Sequence, residues 1–248
     1  MTEHNQARGW VAITGASSGI GAAAARHFAA RGHPVALIAR RRERLEALKA
    51  ELDSPELSHL VVEADLSVDE GIDHTIEALS GLKLTLLVHN AAVIQPISAL
   101  MEVTRAAWRS HLRLNLEAPL FITQALTEQL KGGRVFHISS GAAHRSIAGW
   151  GAYCVSKAAL FRLWDCFKEE LATLDITLAS IRPGVVDTEM QTEIRSAESP
   201  AFVNRPYFEE LKAQGQLTSP EAVAEYLYRL YSEVPSAELV AREWDIRD

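Results

Sequence analysis

Tyr153 and Lys157, four residues apart, are the residues of this chain whose types and spacing could do chemistry. If Tyr153 opens a helix, this spacing places the phenol and the ammonium group on one face of that helix. A neighbouring cation favours the phenolate, so we expect the pKa of Tyr153 to fall from about 10 toward neutrality. The phenol would then serve as a general acid or base near pH 7.

Ser140 stands thirteen residues before the tyrosine, at the end of a predicted strand. Its hydroxyl could donate a hydrogen bond to the oxygen of a substrate carbonyl. A tyrosine and a lysine at this spacing also occur as a packed ring and a solvated charge. The elements that surround them must decide between the two interpretations.

The composition indicates a globular protein and favours small-molecule chemistry over binding to nucleic acids or membranes. Of 248 residues, 48% are hydrophobic and 23% are charged, which suits one α/β domain with a large core. The net charge of -7 and the pI near 5.7 argue against general binding to nucleic acids or anionic membranes, which need a basic surface. No apolar run approaches the roughly 18 residues of a membrane span, and the N-terminal MTEHNQARG lacks the apolar region of a signal peptide.

Two cysteines occur, Cys154 and Cys166. They are too few for a disulfide framework, and neither has companion ligands at metal-binding spacing. The sequence therefore predicts a reducing, cytoplasmic setting and no metal site.

Apolar runs of strand length alternate with stretches of helical periodicity along the chain. This alternation predicts a Rossmann-like α/β domain over residues 1–248, a doubly wound parallel sheet with helices on both faces. The predicted strands are residues 10–14, 35–39, 60–63, 84–89, 134–139 and 176–181. The predicted helices are residues 19–31, 43–52, 68–80, 104–130 and 153–174.

Residues 190–216 interrupt the alternation with polar side chains, prolines and a few aromatic residues. Because ligands bind beyond the carboxyl ends of the strands in such sheets, we expect this segment to be a lid over the substrate. An apolar or aromatic ketone, aldehyde or secondary alcohol fits the side chains that this placement would bring to the site, although aromatic residues in an insertion also serve ordinary packing. The expected wall consists of residues 94–96 and 144–146, Trp150, Phe202, Tyr207 and Phe208.

The first strand leads into a glycine-rich turn and then a helix, which is the setting of a dinucleotide-binding loop. Glycines let the backbone approach a pyrophosphate, and the helix presents free N–H groups and the positive end of its dipole. A tight turn without a ligand is the alternative. The candidate cofactor-binding residues here are Gly15, Ser17, Ser18, Gly19, Ile20 and Gly21.

The second strand ends in Arg40, Arg41 and Arg42, where NAD-binding units usually carry an acidic residue. Three cations at a helix N-terminus oppose the helix dipole unless an anion compensates. We therefore expect Arg40 and Arg41 to bind the 2′-phosphate of NADP(H), with NAD(H) as the less favoured cofactor. The alternative is that these arginines are surface charges of the helix.

Residues that follow the third and fourth strands are also expected to contact the cofactor. Asp65 and Leu66 could contact the adenine ring, while Ser67 is a candidate N-cap of the next helix. Asn90 is expected to bond backbone across the strand ends, and the small Ala91 would let the chain pass close to the cofactor.

With these motifs in order, the chain resembles the short-chain dehydrogenase/reductase family, NAD(P)-dependent oxidoreductases built on one Rossmann-like domain. The resemblance covers nearly the whole chain, although the family's Asn-Asn-Ala-Gly motif appears as His89–Asn90–Ala91–Ala92. The segment before Tyr153 resembles the subset that contains sepiapterin and benzil reductases. The resemblance implies a catalytic set of Asn115, Ser140, Tyr153 and Lys157, and a nicotinamide site formed by Pro183, Gly184, Val186 and Thr188.

The implied reaction is hydride transfer between the nicotinamide and a small carbonyl or alcohol substrate, with Tyr153 as the proton donor. Lys157 would bond the nicotinamide ribose, Ser140 would polarise the carbonyl, and Asn115 would hold a water that links Lys157 to solvent. A non-catalytic NADP(H)-sensing regulator or scaffold on the same fold is the alternative, but it has no need of the four-residue set. The family also implies a homodimer or homotetramer through helices 104–130 and 153–174.

Overall fold

The computed structural model describes residues 9–248. The prediction that the N-terminal stretch is not a signal peptide therefore concerns residues that lie, up to residue 8, outside the described part of the chain. Residues 9–248 form one parallel sheet with the strand order β3-β2-β1-β4-β5-β6-β7. The strands are β1 (Trp10–Thr14), β2 (Val35–Ala39), β3 (Leu60–Glu63), β4 (Leu84–His89), β5 (Arg134–Ile138), β6 (Thr177–Arg182) and β7 (Trp244–Asp245).

Helices connect successive strands. The first seven are α1 (Gly19–Ala29), α2 (Arg42–Leu52), α3 (Asp69–Leu79), α4 (Arg105–Leu112), α5 (Ala118–Ala125), α6 (Thr127–Leu130) and α7 (Gly151–Ala172). Those that follow β6 are α8 (Glu189–Arg195), α9 (Arg205–Ala213), α10 (Pro220–Glu233) and α11 (Ser236–Leu239).

Helices cover both faces of the sheet, which confirms the predicted doubly wound architecture. One face packs against α1, α2 and α10 through residues such as Phe28 and Leu227, both fully buried. The opposite face packs against α3, α5 and α7 through residues such as Ile122 and Trp164. Strands that are buried on both faces explain the nearly continuous Val, Ile and Leu runs in the sequence.

The strand order reverses between β1 and β4, which are neighbours in the sheet although three crossovers separate them in the chain. At such a switch point the connections leave toward opposite faces, so a crevice opens beyond the carboxyl ends of the strands. The glycine-rich turn after β1 and the segment after β4 border this crevice, where the predicted site residues should meet.

The largest departure from the predicted elements concerns residues 104–130. They form α4, a π-helical turn (Arg113–Glu117), α5 and α6 rather than one continuous helix. The hydrophobic periodicity does not reveal the π turn, because the chain is helical on both sides of it and the turn differs in its hydrogen-bond pattern. The short strand β7 and the helices α10 and α11 lie beyond the predicted elements.

The predicted lid, residues 190–216, contains most of α8 and all of α9. Phe202 and Phe208 from this segment are buried, whereas Tyr207 is exposed. Across residues 9–248, no helix has the length and apolar character that crossing a membrane requires.

Candidate active site

Ser140, Tyr153 and Lys157 converge at the carboxyl edge of the sheet. Ser140 lies two residues beyond β5 and caps a short 3-10 turn, where its Oγ accepts a hydrogen bond from the Ala142 N–H at 3.1 Å. Tyr153 and Lys157 occupy the first two turns of α7. All three residues line the same cavity, so the predicted cluster of hydroxyl, phenol and ammonium groups is present.

The pKa of Tyr153 moves in the direction opposite to the one predicted. The residue is 7% exposed, and burial raises the pKa of Tyr153 to about 12 even though a hydrogen bond with Ser140 lowers it. The Lys157 Nζ lies 5.7 Å from the centre of the tyrosine ring. The predicted fall toward neutrality is therefore wrong, because the spacing reveals the neighbouring cation but not the loss of solvent.

Lys157 is a buried cation, only 3% exposed. Its Nζ donates a hydrogen bond to the carbonyl oxygen of Ile138 at 2.7 Å. Burial lowers the pKa of Lys157 from 10.5 to about 8, so the ammonium group is still protonated at neutral pH. The contact ties α7 to the last residue of β5, two residues before Ser140.

Ser139 and Ser140 differ in their surroundings. Both line the cavity, but Ser139 is buried and its Oγ has no hydrogen-bond partner among the described residues. Ser140 is half-buried and reaches the phenol of Tyr153. The structure thus pairs the tyrosine with the serine that the sequence spacing selects.

Asn115 lies in the π-helical turn, behind the cavity rather than on its wall. Its amide makes two hydrogen bonds to Val93, accepting from the N–H and donating to the carbonyl oxygen, both at 3.0 Å. The side chain is 1% exposed, and these bonds supply the partner that an amide inside a helix requires. Asn115 therefore fastens the π turn to the segment that follows β4.

His111 joins the same buried network, although the sequence analysis does not single it out. Its Nδ1 lies 2.7 Å from the Gln95 carbonyl oxygen, and its Nε2 lies 3.0 Å from both the Asn115 Nδ2 and the Ser156 Oγ. A carbonyl oxygen only accepts, so Nδ1 carries the hydrogen and Nε2 accepts. Burial lowers the pKa of His111, and its ring meets that of Tyr153 with centroids 6.3 Å apart. The i,i+4 spacing to Asn115 was the signal available in the sequence.

The glycine-rich turn has the geometry of a ligand cradle. Gly15 and Gly19 adopt positive φ angles of 69° and 53°, which favour glycine. A Cβ on Gly21 would lie 2.3 Å from the Gly15 carbonyl oxygen, so α1 packs closely against the turn only with glycine there. Asn90 Nδ2 donates to the carbonyl oxygen of Thr14 at 2.9 Å, which confirms the predicted bond across the strand ends.

Arg41 is joined to this turn. Its guanidinium donates to the Ser17 Oγ at 2.9 and 3.0 Å and to the Ser18 Oγ at 2.6 Å. It also donates to the Glu189 carboxylate at 2.7 Å, and Arg44 contacts the other carboxylate oxygen at 2.5 Å. Hydrogen bonds from Arg44 and Arg41 lower the pKa of Glu189 to about 2. Guanidinium and hydroxyl donors thus surround a recess at the end of β2.

The neighbouring arginines also have carboxylate partners. Arg40 lies 3.9 Å from Asp65, and Arg42 lies 3.6 Å from Glu63. The chain itself supplies carboxylates that offset these cations, so their position at the helix terminus does not by itself require an external anion. Arg40 and Arg41 line the cavity and remain candidates for a phosphate, whereas Arg42 does not line it.

Asp65 faces the cavity and organises its own turn. Its Oδ1 accepts hydrogen bonds from the N–H and the hydroxyl of Ser67 at 3.0 and 2.7 Å. Since α3 begins at Asp69 and its cap residue Val68 makes no side-chain bond, Ser67 is not the helix cap. Leu66 and Ala91 also line the cavity.

The segment after β6 forms the remaining wall. Gly184 has a φ of 75°, and the Thr188 hydroxyl donates to the Val186 carbonyl oxygen at 3.4 Å. Of the predicted site residues, Gly21 and Asn115 lie behind the cavity, and the others line it. The lining set after β6 is Pro183, Gly184, Val186 and Thr188.

One cavity of about 370 Å³ joins the glycine-rich turn to an apolar wall beside Tyr153. Trp150 is the centre of this wall and stacks on Phe208 and Phe202 at centroid distances of 5.2 and 5.6 Å. Phe202 packs behind the wall, and within residues 144–146 Arg145 alone reaches it. The apolar side chains that line the cavity include Ile94, Ile147, Trp150, Val185, Met190, Ile194 and Phe208.

The family model described as short chain dehydrogenase matches residues 9–199. The chain belongs to the short-chain dehydrogenase/reductase family. Benzil reductase ((S)-benzoin forming) of Bacillus subtilis is 34% identical over 227 residues, 88% of this chain and 91% of that protein. The Bacillus cereus protein of the same name is 30% identical over 243 residues, 93% of this chain and 98% of that protein.

A solved structure of an angucycline C-6 ketoreductase with bound NADP has a TM-score of 0.82 and is 27% identical. The match covers 98% of this chain and 95% of that one. The protein is accordingly an NAD(P)-dependent oxidoreductase of carbonyl and alcohol groups, and a non-catalytic regulator on this fold is not favoured.

A nicotinamide dinucleotide fits the residues present. The close packing of Gly21 on Gly15 lets backbone N–H groups at the start of α1 meet a pyrophosphate. Arg41, Ser17 and Ser18 offer donors at the position where the second strand ends. The buried Lys157 ammonium group lies on the cavity wall next to Tyr153.

Proposed function

We propose that the protein is an NADPH-preferring reductase of apolar or aromatic ketones and aldehydes, including 1,2-diketones. The observation that carries the proposal is the continuous cavity, which joins Ser140 and Tyr153 to the Arg41 recess at one end and to the Trp150 wall at the other. The names of the benzil reductase relatives support the aromatic diketone, because benzil is one.

We assign to Tyr153 the role of proton donor in carbonyl reduction. Its raised pKa keeps the phenol protonated across the neutral range, which is the form that a general acid needs. Ser140, beside the phenol, donates to the carbonyl oxygen where negative charge develops. A bound nicotinamide ring supplies the hydride.

Lys157 and Asn115 are assigned supporting roles. The Lys157 ammonium group stabilises the phenolate that remains after proton transfer, because it is a cation within a site of low solvent access. It would also bond the ribose of the nicotinamide. Asn115 holds the π turn in place and is proposed to order a water that returns a proton to Lys157 from solvent.

The test of this function is Tyr153→Phe assayed with NADPH and a panel of aromatic ketones, aromatic diketones and sugar ketones. We expect the unmodified protein to prefer the aromatic compounds. The variant should lose several orders of magnitude in kcat, because only the proton donor is removed, while its circular dichroism and NADPH affinity stay unchanged. An active phenylalanine variant, or a protein that reduces none of the panel, would contradict the proposal.

The preference for NADPH is assigned to Arg40 and Arg41. A charge-assisted hydrogen bond to the 2′-phosphate is worth roughly 1.5–3 kcal/mol, on the order of 10- to 150-fold in affinity. Because Glu189 shares the Arg41 guanidinium, we expect the lower part of that range for Arg41. Arg40→Ala and Arg41→Ala should each lower kcat/KM with NADPH far more than with NADH, whereas Arg42→Ala is the control.

Equal or better kcat/KM with NADH in the unmodified protein would contradict this assignment. The arginines would then be surface charges of α2 that pair with the protein's own carboxylates. A uniform loss with both cofactors in Arg41→Ala would instead indicate that the residue supports the glycine-rich turn through Ser17 and Ser18.

We propose a homodimer or homotetramer that uses the α5 and α7 faces. Phe121 on α5 and Val155 on α7 are exposed apolar side chains, and Met101 before α4 is 96% exposed. Trp164 of α7, in contrast, is buried within one chain and does not contribute to such a face. Light scattering at micromolar concentration should give at least a dimer, and a monomer would contradict the proposal.

We place the protein in the cytoplasm, where NADPH and a reducing potential coexist. Cys154 and Cys166 are free thiols, and Cys166 is exposed, which suits that compartment. Fractionation of source cells should recover the activity with cytoplasmic markers, and recovery with an exported fraction would contradict this placement.

A further inference from the structure

Gln191 brings a neutral amide into the apolar wall of the cavity. It lies in α8 and is 6% exposed, and it lines the cavity together with Met190 and Ile194 of the same helix. Gln191 and Ile194 are three residues apart and both buried, so they share the inward face of α8. The exposed Thr192 belongs to the other face.

The Oε1 of Gln191 has no hydrogen-bond partner among residues 9–248. Buried polar groups are almost always paired, because an unpaired one costs free energy. The Ser139 hydroxyl, next to Ser140, is likewise buried and unpaired, whereas the charged side chains that line this cavity differ from Gln191 in that respect. Arg182 and Asp245 lie 3.2 Å apart and pair with each other, whereas Arg145 and Glu193 are exposed to solvent. Gln191 is thus an incompletely paired polar side chain within an apolar wall.

We propose that Gln191 recognises a second, neutral oxygen of the substrate, distinct from the carbonyl oxygen that is reduced. This inference rests on the proposed reductase function and specifies its substrate class. Because a half-turn about the last side-chain bond exchanges Oε1 and Nε2, the unpaired position can accept from a hydroxyl group or, after that rotation, donate to a carbonyl oxygen. A ketone with a second oxygen pairs the amide, whereas a simple apolar ketone leaves it buried and unpaired.

The same amide can bind both the diketone substrate and its hydroxy-ketone product. One carbonyl group takes a hydride at carbon and a proton at oxygen and becomes a secondary alcohol, while NADPH becomes NADP⁺. The second carbonyl group is unchanged, so its oxygen keeps accepting from Gln191. The absence of a formal charge on Gln191 favours a neutral oxygen over a carboxylate as this second group.

The test uses benzil and deoxybenzoin, which share two phenyl rings and differ in the second carbonyl oxygen. Gln191→Leu should lower kcat/KM for benzil by about 3- to 10-fold, the range for one neutral hydrogen bond, and leave deoxybenzoin unchanged or improved. Gln191→Asn tests whether a shorter amide rescues the benzil reaction. Thr192→Val, on the exposed face of the same helix, is the matched control and should change neither substrate.

Binding supplies a readout that does not depend on turnover. The Kd of the product benzoin, measured by calorimetry with NADP⁺ present, should rise by a similar factor in Gln191→Leu. An unchanged ratio of the two kcat/KM values in this variant, whether both fall or neither moves, would overturn the inference and leave the reductase function intact. Absence of turnover of either ketone by the unmodified protein would overturn the reductase function and this inference with it.

Discussion

Replacing Lys157 by methionine should abolish catalysis and at the same time stabilise the fold near neutral pH. Burial lowers the pKa of Lys157 from 10.5 to about 8, which corresponds to about 3 kcal/mol at about 1.4 kcal/mol for each pH unit. At pH 7 the buried side chain is charged, so the folded protein carries this cost. Methionine has a similar length and no charge, and therefore avoids it.

The pH dependence of stability isolates this effect. Between pH 8 and 10.5 the lysine of the unfolded chain still holds a proton that the folded protein has released, so the unfolding free energy rises with pH. The variant lacks this titration, and all other groups are shared. The difference in unfolding free energy between the two proteins should therefore shrink by up to about 3 kcal/mol as the pH rises from 7 to 10.5.

Urea unfolding at several pH values between 7 and 10.5 measures this difference, with Lys131→Met, a half-exposed surface lysine, as the control. The hydrogen bond from Lys157 to Ile138 is lost in the variant, which reduces its advantage at pH 7 but does not change the pH slope. Parallel stability profiles of the unmodified protein and Lys157→Met would refute the argument.

The remaining predictions concern the serines and the glycines. Ser140→Ala should lower kcat by about 100-fold or more, on the scale of one lost oxyanion donor, and Ser139→Ala should be much milder; steady-state kinetics that ranked them in reverse would show that the register is wrong. Gly21→Ala should prevent stable folding or cofactor binding, because its Cβ would meet the Gly15 carbonyl oxygen at 2.3 Å, whereas Gly81→Ala, with open space around it, should be neutral. Thermal melts with and without NADPH would check this pair, and a stable, cofactor-binding Gly21→Ala protein would contradict the packing argument.

The strands on the glycine-loop side of the sheet could be predicted from the sequence to the residue. Strands β1 to β4 have the predicted bounds, because strands buried on both faces read as continuous apolar runs between turn residues. Two-residue β7 is too short for any periodicity. Helix α10 carried a usable signal, since Ser219 and Pro220 are a typical cap and first residue, and Ser219 does accept from the Ala222 N–H.

The positions of the site residues were predictable, but their energetics were not. Tyr153 and Lys157 meet as their spacing implies, yet burial sets both pKa values and sequence spacing carries no information about burial. The two backbone hydrogen bonds of Asn115 are made to Val93, 22 residues away, and depend on the π turn. Glu189 is 148 residues from Arg41, and the sequence around neither residue predicts that the two form an ion pair.

The helix that begins at Glu189 belongs to both ends of the cavity. Its first residue holds Arg41 and Arg44 beside the recess after β2, and Gln191, two positions on, faces the apolar wall. The proposed cofactor preference and the proposed ketone preference therefore both depend on the seven residues of this helix. Replacing this helix by the corresponding helix of a relative should change the cofactor preference and the ketone preference together. Laboratory selection for one of these preferences should therefore alter the other as well.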